Sequence, residues 1–66
     1  VNVEDVRRAV RAIRAEIDDD ESAHADEDAL HEAVLEAIAN GSAEDPQAMA
    51  AEALETRKLE FARWCA

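Results

Sequence analysis

An all-α fold, a small three-helix bundle, is what this sequence predicts, and three observations predict it. Sixteen of the 66 residues are alanine, and Glu and Arg, also good helix formers, are abundant. One glycine, one proline and 3% aromatic residues argue against a sheet with its turns. Finally, apolar side chains recur at spacings of three and four residues along three separate stretches. No internal repeat or linker divides the chain, so residues 1–66 read as a single acidic helical domain.

The first helix is expected over about residues 3–18. Val3, Val6, Val10, Ile13 and Ile17 form a narrow seam like that of a coiled coil. Asn2 suits the N-cap, and Glu4 and Asp5 put negative charge in the first turn, where the helix dipole favours it. Arg7, Arg11 and Arg14 line one edge of the seam.

The second helix is expected to start at residue 23, capped by Ser22, or at 27, capped by Asp26, and to run to 39. Leu30, Val34 and Ile38 make its apolar row, with Ala33 and Ala37 beside them and His31 at the edge. Asn40-Gly41 supplies residue types that accept the left-handed conformation closing a helix. Asp45-Pro46 reads as the N-cap and first position of the third helix, expected over 46–64. Its apolar arc holds Met49, Ala50, Ala53, Leu54, Phe61, Trp64 and Cys65. Arg57 falls near the middle of that arc, where a guanidinium needs a partner or an exit to water.

Between the first two helices lies EIDDDESAHADED, residues 16–28, with eight carboxylates and no Lys or Arg. As a calcium loop starting at Asp18 it fails twice. Ala23 stands where glycine makes the turn, and Ala29 where a bidentate Glu closes the shell. His24 and His31 are about 10 Å apart on one helix, too far for one ion. No metal or other cofactor is expected. The run reads best as a hydrated connector, with one oddity. Asp18, Asp19 and Asp20 would end the first helix, where the dipole disfavours negative charge.

The net charge of −10 disfavours nucleic acid and anionic membranes as partners, because both need Lys and Arg to neutralise phosphate. No apolar run has bilayer length and no signal-peptide pattern is visible, so a cytoplasmic location is expected. No enzymatic activity is expected either. HEAVLE at 31–36 lacks the second histidine of a zinc-binding HExxH, having Leu35 in its place, and the one glycine terminates a helix.

The reading that remains is a non-enzymatic protein–protein interaction module, such as an accessory subunit, a regulator or a virion-type component. Its expected partner is another protein or a second copy. Val6, Val10, Ile13, Arg57, Phe61 and Trp64 are the candidate interface, since only sixteen apolar residues other than alanine are available to a chain this short. The alternative is an acidic nucleic-acid mimic that inhibits a DNA- or RNA-binding protein or nuclease. Asp28, Glu32 and Glu36 would be its track, a row about 12 Å long on the solvent side of the second helix. A helix-turn-helix DNA binder comes third, because the exposed face of the second helix carries Glu and Asp rather than Lys, Arg, Asn or Gln.

Overall fold

The computed structural model describes residues 1–63 and is a three-helix bundle. Helix α1 is Val3–Ala15, α2 is Asp20–Ala39 and α3 is Pro46–Ala53, followed by a 3₁₀ helix at Leu54–Lys58 and an extended stretch. Each helix packs against the other two. Among the described residues no helix is long and apolar enough to cross a membrane.

Asn2 opens α1 with a reciprocal capping box. Its side chain accepts from the Asp5 N–H at 3.0 Å, while the Asp5 carboxylate accepts from the Asn2 N–H at 3.1 Å. Val6, Val10 and Ile13 face inward as the seam predicts. The helix stops three residues earlier than expected. The Glu16 N–H bonds Ile13 O and the Asp19 N–H bonds Glu16 O, which turns the chain and leaves Ile17 half-buried outside the helix.

This early stop removes the oddity for two of the three aspartates, Asp19 and Asp20. Asp19, not Ser22 or Asp26, caps α2. Its carboxylate accepts from the Ser22 N–H at 3.2 Å and the Ser22 hydroxyl at 3.0 Å. The Ser22 backbone bond, then the hydroxyl bond, hold the Asp19 pKa below its usual value. Asp20 and Glu21 follow in the first turn of α2, so the dipole stabilises the charges that would have strained the end of α1.

The far end of α2 closes in a Schellman motif. Ser42 N–H donates to Ala37 O and Gly41 N–H to Ile38 O, with Gly41 at φ +80°. A Cβ at Gly41 would meet nothing within 4 Å, so backbone conformation alone reserves the position for glycine. Asp45 then caps α3 by accepting from the Ala48 N–H at 3.1 Å, with Pro46 in the first turn as expected.

Helix α3 departs most from expectation, ending at Ala53 rather than near residue 64. In a continuing α-helix the Ala53 carbonyl would accept from the Arg57 N–H. Here it accepts instead from the hydroxyl of the fully buried Thr56 at 3.0 Å, and His31 Nε2 lies 3.2 Å away. The tighter winding that follows turns Thr56 inward and leaves Arg57 exposed, which corrects its predicted place on the apolar arc. Leu59, which a continuous helix would expose, packs against the core together with Phe61.

The core is made of Val6, Val10, Ile13, Ala23, Leu30, Val34, Ala37, Met49 and Ala53. Met49 at its centre has no exposed surface, whereas Leu35 is 66% exposed. Met49→Ala is therefore expected to cost about 2–5 kcal/mol, and Leu35→Ala to stay within about 0.5 kcal/mol. Urea unfolding followed by circular dichroism measures both.

Candidate functional site

With the hydrophobic seam of α1 spent on the core, the face α1 leaves outside is polar and carries Arg7, Arg8, Arg11 and Arg14. Val6, Val10 and Ile13 are at most 4% exposed, so the predicted contact stripe is covered by the chain's own helices. Phe61 is half-buried against the core, Arg57 is in solvent, and Trp64 lies outside the described residues. The predicted interface residues that are described are thus not brought together on one surface.

Another apolar surface takes their place. Leu35 on α2 and Leu54 just after α3 wall a groove of about 230 Å³ that is also lined by His31, Val34, Ala50 and Ala53. Leu54 is 58% exposed, and Ile38, one turn beyond Val34 on the same side of α2, is 39% exposed. Three of the four large exposed apolar side chains among the described residues therefore share one side of the bundle. A cluster of this kind on so small a chain is out of proportion to the singly scattered apolar residues of an ordinary surface.

The end of the groove at His31 is fixed by polar contacts. The Thr56 hydroxyl hydrogen points to Ala53 O, so His31 Nε2–H is the donor, 3.0 Å from Thr56 Oγ1 and 3.2 Å from Ala53 O. This ties α2 to the turn after α3 and sets the distance between the two leucine walls.

Asp28, Glu32 and Glu36 are all exposed along α2, as the acidic-track reading requires. Asp28 faces His24 Nε2 at 3.5 Å, while Glu32 and Glu36 pair with no cation among the described residues. Of the fourteen other acids, five pair with a cation among the described residues, locally as in Lys58–Glu55 at 3.0 Å or across elements as in Arg7–Glu52 at 3.4 Å.

One buried charge was not anticipated. Glu27 is 3% exposed and holds Arg63 in a bidentate pair, with Oε1 to Nε at 2.7 Å and Oε2 to Nη2 at 3.0 Å. Arg63 Nη2 also donates to Thr56 O at 2.8 Å and Leu59 O at 3.2 Å, and its guanidinium stacks 3.8 Å above the Phe61 ring. The Ala62 N–H donates to Asp20 at 3.1 Å. Together these contacts clasp the chain after the 3₁₀ helix onto α2. The role foreseen for Arg57, a guanidinium matched to a carboxylate at the apolar face, belongs to Arg63.

A second carboxyl is strained in the opposite sense. One oxygen of Glu16 is buried without a hydrogen-bond partner. Hydrogen bonding with Asp26, then burial and the charges of Asp26 and Asp19, raise the Glu16 pKa. Among the described residues no three His, Cys, Asp or Glu side chains converge as metal ligands would. A second concavity, about 340 Å³ between α1 and α2, is walled largely by Ala9, Ala12, Ala29 and Ala33, with Asp26 its one charged lining residue.

Burial pushes the Glu27 pKa up, but the hydrogen bonds from Arg63 and its charge outweigh it, so the folded value lies below 4.5. The clasp's stabilisation is then complete above pH 4.5 and is lost as pH falls through the depressed folded value. Arg63→Met, which strands a buried carboxylate, is expected to cost about 3 kcal/mol at neutral pH. Glu27→Gln is expected to cost less, because Arg63 is 28% exposed and can turn to water. Urea titrations across the acid range should show a shallower acid limb for Glu27→Gln. Glu16 has the reverse sign, its favourable contribution being present below 4.5 and lost as pH rises through the raised folded value. Glu16→Gln should accordingly raise the Tm at neutral pH, with the gain shrinking in acid.

No family model, curated protein or solved structure matches this chain, which leaves its own surfaces as the ground for a function.

Proposed function

We propose that this chain is a non-enzymatic protein–protein interaction module, in the manner of an accessory subunit, regulator or virion-type component, and that its contact face is the groove between Leu35 and Leu54. One observation carries the reading. Leu35, Ile38 and Leu54 are held in solvent on one side of the bundle although the core has no need of them. Helices commonly recognise other proteins by such apolar anchors, with polar residues at the rim.

A second reading is favoured by the exposed row of Asp28, Glu32 and Glu36, two of which lack a cation among the described residues. A short rigid track of carboxylates can occupy a basic groove meant for phosphates, which makes the chain an inhibitor of a nucleic-acid-binding protein. The row is only about 12 Å long, and its neighbour Leu35 gives such a mimic no advantage.

Pull-down from the native host in dilute and in molar potassium chloride separates the two. For an interaction module the captured protein stays bound in high salt and is lost on Leu35→Asp or Leu54→Asp, with helical content unchanged. Release by salt, together with loss on neutralising Glu32 and Glu36 but not on Leu35→Asp, would establish the mimic instead.

A further inference from the structure

We infer that the occupant of the Leu35–Leu54 groove is an amphipathic helix of another protein, with a leucine-type stripe bordered on one edge by Lys or Arg. The inference rests on the groove's being the contact face and goes on to name what fills it.

The shape selects a helix. The floor and walls come from α2, α3 and the residue that follows, whose backbone groups are engaged within their own helices. An extended peptide would find no row of free N–H and C=O groups with which to pair its own. A helix satisfies its backbone internally and needs only side-chain contacts. From His31 to Leu35 the groove runs about 6 Å along α2, and the exposed Ile38, one turn beyond Val34, extends the apolar surface to about 10 Å, enough for ligand anchors at i, i+3 or i+4, and i+7.

The charges select the ligand's edge. Around the α2 axis Asp28, Glu32 and Glu36 lie about 20°, 60° and 100° from Leu35, on the side away from His31, Ile38 and Val34. They form the outer rim of the groove. A helix seated between the leucines would bring one of its edges against this rim, and Lys or Arg there meets two carboxylates that no described cation neutralises.

A second copy of the chain fits less well. A stable interface buries roughly 800 Å² per partner, close to a fifth of this molecule's 4359 Å² surface. To reach that area a copy would have to spread over the acidic rim, bringing two chains of charge −10 together. The exposed Arg57 is the one basic residue near Leu54 without a carboxylate partner among the described residues, against three acids on the rim.

The test uses the full chain and three fluorescein-labelled synthetic peptides of about four helical turns. The first carries a leucine stripe with a Lys/Arg edge, the second the same stripe with a Glu edge, and the third the basic edge with the stripe changed to serine. Fluorescence anisotropy gives affinity, and amide chemical shifts locate the contact. The first peptide should bind in the micromolar range and move the Leu35, Ala50 and Leu54 amides. The second should bind about tenfold more weakly, equivalent to about 1.4 kcal/mol, and the third not detectably. Glu32→Gln with Glu36→Gln should erase most of the difference between the first two.

Equal binding of the first two peptides, or binding of the third as tight as the first, would overturn the basic-edge assignment. So would shifts confined to the alanine-lined furrow between α1 and α2. Sedimentation resolves the remaining case. A dimer abolished by Leu35→Asp, with no peptide bound, overturns the foreign helix while the groove remains the contact face. A monomer that binds none of the three peptides overturns the inference, and the salt-resistant pull-down then decides the contact-face reading separately.

Discussion

The carbonyl oxygen of Ala53 is where α3 ceases to be an α-helix, and the arrangement of the rest of the molecule follows from that point. Accepting from Thr56 and lying within reach of His31, it gives up the bond that would have extended the helix. Three consequences follow together. Leu54 is left outside as a groove wall, Thr56 enters the interior, and the chain turns back so that Arg63 reaches Glu27. A straight continuation would have carried Arg63 away along the α3 axis. Glu27 would then have been an uncompensated buried charge, which is too costly to keep.

The core these contacts enclose is thin. Four of its side chains are valine, isoleucine or methionine from α1 and α3, and three of the remaining five are alanine. Alanine brings helices close but buries little area. Directional bonds supplement that core at each junction. A capping box opens α1, Asp19 and Asp45 cap the next two helices, a Schellman motif closes α2, and the bidentate pair holds the last described segment. Each replaces a backbone or side-chain group's lost water with a protein partner, and a chain of this size depends on such increments.

How much of this was legible in the sequence varies with the range of the deciding interaction. The fold class, the Asn2 cap, the Asp45-Pro46 start and the Asn40-Gly41 stop rest on local chemistry and could be read from neighbouring residues. The inward faces of Val6, Val10 and Ile13 were equally readable, but not that the same chain would cover them. Periodicity could not reveal that Thr56 and His31, 25 residues apart, would meet beside one carbonyl and stop α3. A continuous wheel through residue 64 therefore centred the apolar arc on Arg57. The sequence does carry one signal of the buried charge. Ala23, Glu27, Leu30, Val34 and Ala37 follow spacings of four, three, four and three. An acid in such a row implies a buried carboxylate and hence a cation from elsewhere in the chain.

The walls of the groove contribute little to holding the bundle together, because Leu35 and Leu54 point away from the core while Val34 and Ala53 beside them point into it. Adjacent positions on each element thus answer to different demands. Drift at the two leucines could retune which partner is accepted while the interior stays unchanged. A domain with few apolar residues to spare can in this way diversify its recognition without first acquiring a larger scaffold.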